Sequence, residues 1–333
     1  MEFIVGAGKS IQNNNQKLNI NILNAEFVLI LAGLSFGFVP IISALLRNNS
    51  VSSIEQIFMR HLVAGIFSVI ALIFALNLHR KDEIASSLQI NIQLSYLVQA
   101  IIMNLMILVY FVSISLNTPA GEAALFVQIH PITTFIISYF WLKETINRKK
   151  VSSLLIAFLG ILILLRPWEL DSFGHYLIGD LLAMSNGFFY SLYIVTGRKT
   201  RELRKNISAL TSNSWIMIWA FLAGLIFLFF MSLLPLPSTI NSFDLGVYRD
   251  SKNFILGIIL GLAGSIIPYG LLMIGVPRVE SSKAAILLLG EPLGAVIFGF
   301  IILQEQITIY YLAGGILLFI AIINITNSKV KNL

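Results

Sequence analysis

Ten long apolar runs separated by short polar gaps take up nearly the whole chain, at roughly 26–46, 54–77, 92–116, 119–142, 151–167, 178–197, 212–234, 254–277, 283–303 and 308–326. Each comes near the ~20 residues a helix needs to cross ~30 Å of hydrocarbon, the fifth at the short end. The runs are continuous rather than alternating, which predicts helices and not a barrel. With 57% hydrophobic residues, 11% charged and a mean hydropathy of +0.87, an ordinary soluble domain is excluded. The predicted fold class is an all-α integral membrane protein of ten transmembrane helices.

Those ten runs divide into two related sets of five. AALFVQIHP at 123–131 returns as AAILLLGEP at 284–292, and the same offset carries Glu144 onto Glu305. LAGLSFGF at 31–38 is echoed by LLAMSNGF at 181–188, which makes the first and sixth runs counterparts, as the fourth and ninth are. Five is odd, so the second set enters the bilayer with opposite orientation. Inverted repeats with interrupted helices at mid-depth are an architecture of secondary transporters, with a central cavity between the halves. The predicted organisation is a flexible cytoplasmic tail at 1–25, a first half at 26–167 and an inverted second half at 177–327.

The net charge of +6 reports orientation rather than a nucleic-acid surface. With the N-terminus in the cytoplasm, the gaps facing that side hold all but Arg47, Arg60, Arg166, Arg249 and Lys252 of the 22 basic residues. Both termini are thus expected inside a cytoplasmic membrane crossed many times. The first 25 residues, polar and Asn-rich, carry no cleavable signal pattern. The basic 198–211 segment reads as a solvated, orienting loop, with a basic helix on the anionic leaflet as the alternative. Cysteine is absent, which removes disulfides, thiol catalysis and Cys-ligated metals. No metal or cofactor is called for. The expected partners are a small-molecule substrate and the lipid bilayer, with no nucleic acid, in a monomer or homodimer.

Glu291 stands out among ionisable groups. It lies eight residues past Lys283, so ~12 Å into the membrane at ~1.5 Å per residue. A carboxylate there is costly unless it faces the bundle interior or a wet cavity, and it is a candidate proton carrier. Pro292 removes a backbone donor and frees a carbonyl near Leu288, a break tolerated at depth mainly along a cavity. His130-Pro131 repeats the arrangement in the fourth run, so His130 and Glu291 are a candidate proton relay or cation–anion pair. Arg60 either snorkels outward or faces inward to receive a carboxylate or phosphate. Glu122, Lys283 and Asp180 lie near interfaces and are expected to be solvated. Tyr110, Phe111, Gln128, Asn186, Tyr190, Tyr193, Trp215 and Tyr269 are candidate pocket walls. Gly257 and Gly261, and Gly290 and Gly294, keep the four-residue spacing of close helix packing.

The two blocks AALFVQIHPITTFIISYFWLKE and AAILLLGEPLGAVIFGFIILQE, with the early Arg of IEQIFMRHLVAGIF, resemble the EamA-type branch of the drug/metabolite transporter superfamily over 26–326. The resemblance implies two inverted five-helix halves, alternating access, and export of an amino acid or related metabolite. Relatives carry phosphorylated sugars, nucleotide-sugars or drug-like cations. It carries over Pro131 and Pro292 as mid-span prolines, Glu144 and Glu305 as span-ending structural or gating acids, and Arg60 as the early second-span arginine. Glu291 before its proline is not carried over and rests on the depth argument. An intramembrane enzyme needs a nucleophile–base pair or metal cluster, and the chain holds no H-E-x-x-H and no G-x-S-x-G. A passive channel or lipid scramblase is the remaining alternative.

Overall fold

The computed structural model describes residues 25–77, 80–116, 118, 120–169, 176–233, 240, 242–304 and 306–327. The side chains of 115 and 120–122 are outside that description, so the expectations for Glu122 and Glu305, and for the tail before residue 25, fall outside the described residues. Among the described residues, ten helices are long and apolar enough to cross a membrane: Ala25–Asn48, Ser53–Asn77, Ile90–Ile114, Ala123–Leu142, Arg148–Glu169, Leu177–Lys199, Ala209–Ser232, Ser251–Arg278, Ser281–Leu303 and Ile309–Thr326. Their outer faces are large apolar side chains, among them Phe67, Ile70 and Phe74 on the second span and Leu155 and Leu159 on the fifth. In water such faces would drive association; in lipid they are solvated by acyl chains. The sixth span is the most enclosed, and the fifth and tenth are peripheral.

The helix pairings follow the sequence repeat. The second span packs on the seventh, the fourth on the ninth and the fifth on the tenth, pairs that exchange of the halves leaves unchanged. The third packs on the sixth and seventh as the eighth packs on the first and second, and the fourth packs on the sixth as the ninth packs on the first. Such a pattern is compatible with an inverted repeat.

Proline and glycine set where spans break. The fourth span is two helices, Ala120–Val127 and His130–Leu142, and the ninth is likewise Ser281–Leu287 and Gly290–Leu303. Neither Pro131 nor Pro292 can donate to the carbonyl one turn back, so each starts a new helix where its missing N–H costs least. The first span breaks at Gly37, between 25–36 and Phe38–Asn48. A Cβ on Gly37 would collide with the backbone of Gly294 and Ala295, and one on Gly294 would collide with the Leu34 carbonyl. The backbones of the first and ninth spans therefore touch, which only glycine permits. Gly294→Ala is expected to lower stability by about 3 kcal/mol, read as an earlier thermal transition in detergent, because both neighbours are main chain and cannot give way.

Both repeat acids come directly after a left-handed turn. Lys143 and its counterpart Gln304 have φ of 58° and 56°, each closing its helix with a residue other than glycine. The same left-handed turn at matched positions of both halves is a further mark of the sequence repeat.

Between the second and third spans, the short helix Lys81–Ser87 places Glu83 at the start of the seventh span. Glu83 accepts from the Ser208 N–H at 2.9 Å and the Thr211 hydroxyl at 2.6 Å. Burial pushes this carboxyl up, but those hydrogen bonds pull it further down, to a net position below the ordinary carboxylate value. A depressed carboxylate stabilises the fold above its unfolded pKa of about 4.3 and ceases to do so as pH falls through the lower folded value. Glu83→Gln should flatten that part of the acid-unfolding curve, measured by thermal unfolding at a series of acidic pH values.

Candidate functional site

Arg60, expected either to snorkel or to face inward, faces inward. It is 3% exposed, its Nε donates to Ser265 Oγ at 2.7 Å, and its Nη2 donates to the Gly264 carbonyl. The receptor for it is a π turn at Leu262–Ile266 in the eighth span. Pro268 has no N–H to offer Gly264 one turn back, so the arginine satisfies a carbonyl that the helix leaves open. Two of the five guanidinium donors are engaged, and the head lines a chamber with Glu291.

Glu291 lies in the first turn of the second helix of the ninth span, its N–H donating to Leu288 O at 3.0 Å. That bond satisfies the carbonyl that Pro292 cannot reach. The carboxylate faces two adjoining chambers. The smaller, about 60 Å³, is bordered by Arg60, Phe36, Asn186, Tyr190, Tyr269 and Tyr110. The larger, about 370 Å³, takes in Gln128, Pro292 and Tyr110 and runs to Arg166 and Tyr311 at one end of the bundle. At that rim Arg166 pairs with Glu169 at 2.6 Å and stands over the rings of Tyr310 and Tyr311.

The chamber wall is aromatic with polar tips. Phe36 meets Tyr190 and Tyr269 edge-on at 6.0 and 5.1 Å, and Tyr193 meets Tyr269 at 5.2 Å. The hydroxyls of Tyr190, Tyr193 and Tyr269 are buried and find no protein partner among the described residues. Gln128 Oε1 is buried in the same condition. Asn186 spends its amide on the Met106 carbonyl at 2.7 Å, tying the sixth span to the third.

His130 is not brought to Glu291. It is fully buried behind Tyr190, ring centroids 4.6 Å apart, and lines neither chamber. Its carbonyl accepts from Ser191 Oγ at 2.9 Å, so the start of the helix after the break is pinned to the sixth span. The candidate proton relay or cation–anion pair of His130 and Glu291 thus has no shared chamber among the described residues: matching positions in a sequence repeat need not converge. Pro131 acts through the same break.

Away from Arg166, charged and polar contacts tie helix ends together at the opposite end of the bundle. Glu144 reaches from the end of the fourth span to the start of the ninth, accepting from Ser281 N at 2.6 Å, Ser282 N at 3.1 Å and Ser282 Oγ at 2.7 Å. Lys150 pairs with Glu280 at 3.1 Å. Lys283, expected to be solvated, is instead 1% exposed and bridges Glu26 at 2.6 Å and the Thr326 carbonyl at 3.1 Å. At the Arg166 end, Asp180 in the first turn of the sixth span was also expected to be solvated and is 4% exposed. Sequence depth puts both near an interface, but neighbouring helix ends cover them.

Sequence reasoning passed over Gly264, Ser265, Pro268 and Phe36. Pro268, a proline inside an otherwise intact apolar run, was the available signal for the π turn.

Residues 23–166 and 177–327 each match the EamA-like transporter family. The chain belongs to that family. As an EamA-like transporter it is an integral, multi-pass membrane protein and not an enzyme. It is similar to an uncharacterized transporter of Archaeoglobus fulgidus, 27% identical over 61% of this chain and 66% of the relative, and to one of Bacillus subtilis, 23% identical over 64% and 66%. The match thus spans just under two thirds of those relatives' length. A protein of Salmonella typhimurium named as a probable amino-acid metabolite efflux pump is 22% identical over 66% of this chain and 72% of its own. One solved structure superposes with a TM-score of 0.67 at 16% identity, covering 91% of this chain and 95% of that one, which supports the fold.

Proposed function

We propose that this protein exports a small polar metabolite, an amino acid or derivative, across the cytoplasmic membrane by alternating access. The observation that carries the reading is the convergence of Arg60 and Glu291 on one chamber walled by Phe36, Tyr190 and Tyr269. A fixed cation and a fixed anion beside an aromatic wall suit a zwitterion with an apolar side chain: carboxylate to Arg60, ammonium to Glu291. The Arg60 chamber alone is about 60 Å³, so a ligand holding both charges extends past Glu291 into the larger chamber of about 370 Å³, at the small end of the roughly 300–1,000 Å³ range of ligand sites. The name of the Salmonella relative, a probable amino-acid metabolite efflux pump, supports the same substrate class.

The distribution of basic residues supports an outward-facing Arg166 rim and cytoplasmic termini. In that frame the chamber is open outward, and the bonds of Glu144, Lys150 and Lys283 close the cytoplasmic end. The halves then rock about the broken fourth and ninth helices, and Glu291 can carry a proton when substrate is absent. Radiolabelled amino acids screened for counterflow in proteoliposomes test this. Trans-stimulation by at least one amino acid is expected; flux that trans substrate leaves unaltered identifies a channel and ends the proposal.

A further inference from the structure

A cavity larger than either chamber at Glu291 lies elsewhere in the molecule. About 530 Å³ opens where the sixth and eighth spans end and the seventh begins, beside the 200–208 connection, and it shares no lining residue with the central chambers. Arg201, Arg204, Lys205 and Arg278 line it, with Ser208 and Ser212, and among the described residues no carboxylate does. Acids close in sequence to the lining residues are already committed: Glu280, two residues past Arg278, pairs with Lys150 at 3.1 Å. Glu83 holds Ser208 N and the Thr211 hydroxyl and pairs with Arg80 at 3.7 Å, while Glu202 is an exposed neighbour of Arg201 at 3.7 Å.

Arg204 separates this cavity from a merely solvated basic loop. The 198–211 segment reads from sequence as a solvated loop, yet Arg204 is only 8% exposed. Its Nε and Nη2 donate to Ser95 Oγ at 3.1 and 2.9 Å, its Nη1 donates to Gln99 Oε1, and the guanidinium stands 4.4 Å over the Tyr96 ring. Every one of these partners is formally neutral. Burial pushes the guanidinium down to about 10, against the pull of Tyr96 and Tyr193. A desolvated cation with neutral partners and unspent N–H donors, facing a cavity with three more cations, is complemented by a dense anion. Phosphate fits better than carboxylate, because it can accept from several donors around it at once.

We propose that this cavity binds a phosphorylated anion through Arg204, with Arg201, Lys205 and Arg278 around it, at a site separate from the transport chamber. The phosphate can belong to the headgroup of an anionic lipid or to a soluble phosphorylated metabolite. The cavity is at the level of the helix ends, within reach of both.

The test uses the full-length protein in phosphatidylcholine nanodiscs. One arm titrates inorganic pyrophosphate at constant ionic strength, and the other raises the phosphatidylglycerol content of the discs; both read the thermal transition, which a ligand of the native state raises. A saturable rise is expected in at least one arm. Phosphatidylglycerol alone assigns a lipid headgroup, pyrophosphate alone a soluble anion, and both the shared phosphate chemistry. Arg204→Gln should weaken the effect about tenfold, the loss of a charge-assisted contact. The double variant Arg201→Gln/Lys205→Gln removes only exposed side chains and should weaken it about tenfold as well. It decides the matter if Arg204→Gln does not fold. No saturable rise in either arm, or a double variant with the affinity of the original chain, overturns the site.

Discussion

Glu291→Gln should lower amino-acid counterflow about hundredfold in proteoliposomes, the loss expected when a buried charge loses its charged partner in a binding site. The substitution keeps shape and volume. The Glu291 N–H still meets Leu288 O, so the break in the ninth span persists and the protein still folds. What disappears is the carboxylate that shares the chamber with Arg60. Arg60→Lys is the companion: it keeps the charge but cannot hold both Ser265 Oγ and the Gly264 carbonyl with a planar head. An unchanged rate with an unchanged pH dependence in Glu291→Gln would remove that residue from the mechanism.

The second large effect concerns the shut end. Glu144→Ala deletes three hydrogen bonds between the fourth span and the start of the ninth, and should shift the balance of closed and open forms by about 2 kcal/mol, about thirtyfold. Because the chain has no cysteine, a single thiol reports this without background. Ala285 is fully buried one turn beyond Ser281, and Ala285→Cys should react with a maleimide from the basic-loop side about thirtyfold faster in the Glu144→Ala background. Equal labelling with and without Glu144 would show that this acid only caps a helix. Lys283→Met should act in the same direction, since it strands Glu26 buried and unpaired, and adding Glu26→Gln should recover stability.

The ten spans were legible because bilayer burial imposes one rule on long stretches: apolar side chains outside, charge in the gaps. The broken fourth and ninth helices were legible too, since Pro131 and Pro292 cannot donate wherever they are placed. Long-range partners were not. Nothing in the spacing of Glu144 ties it to Ser281 and Ser282, which reach it only through the packing of the fourth span on the ninth. Lys283 and Asp180 were misplaced for a related reason, because depth along one helix says nothing about the neighbour that covers it. Arg204 was hidden in a basic segment whose average character is solvated. His130 shows the limit of repeat reasoning: the sequence match placed it at Glu291's counterpart, and packing put Tyr190 between it and the chamber.

The π turn at Leu262–Ile266 gives the eighth helix two different registers in one rod. Before it, Gly257 and Gly261 lie against Met59 and Val63 of the second helix; after it, Tyr269 meets Phe36 of the first. Winding the same residues as regular α-helix would overwind that turn and swing everything beyond it by most of one ~100° residue step. The rewound chain could still thread the membrane, but its tyrosine would leave the wall and its arginine would lose its cradle. A conventional helix here is the one repair the protein cannot accept.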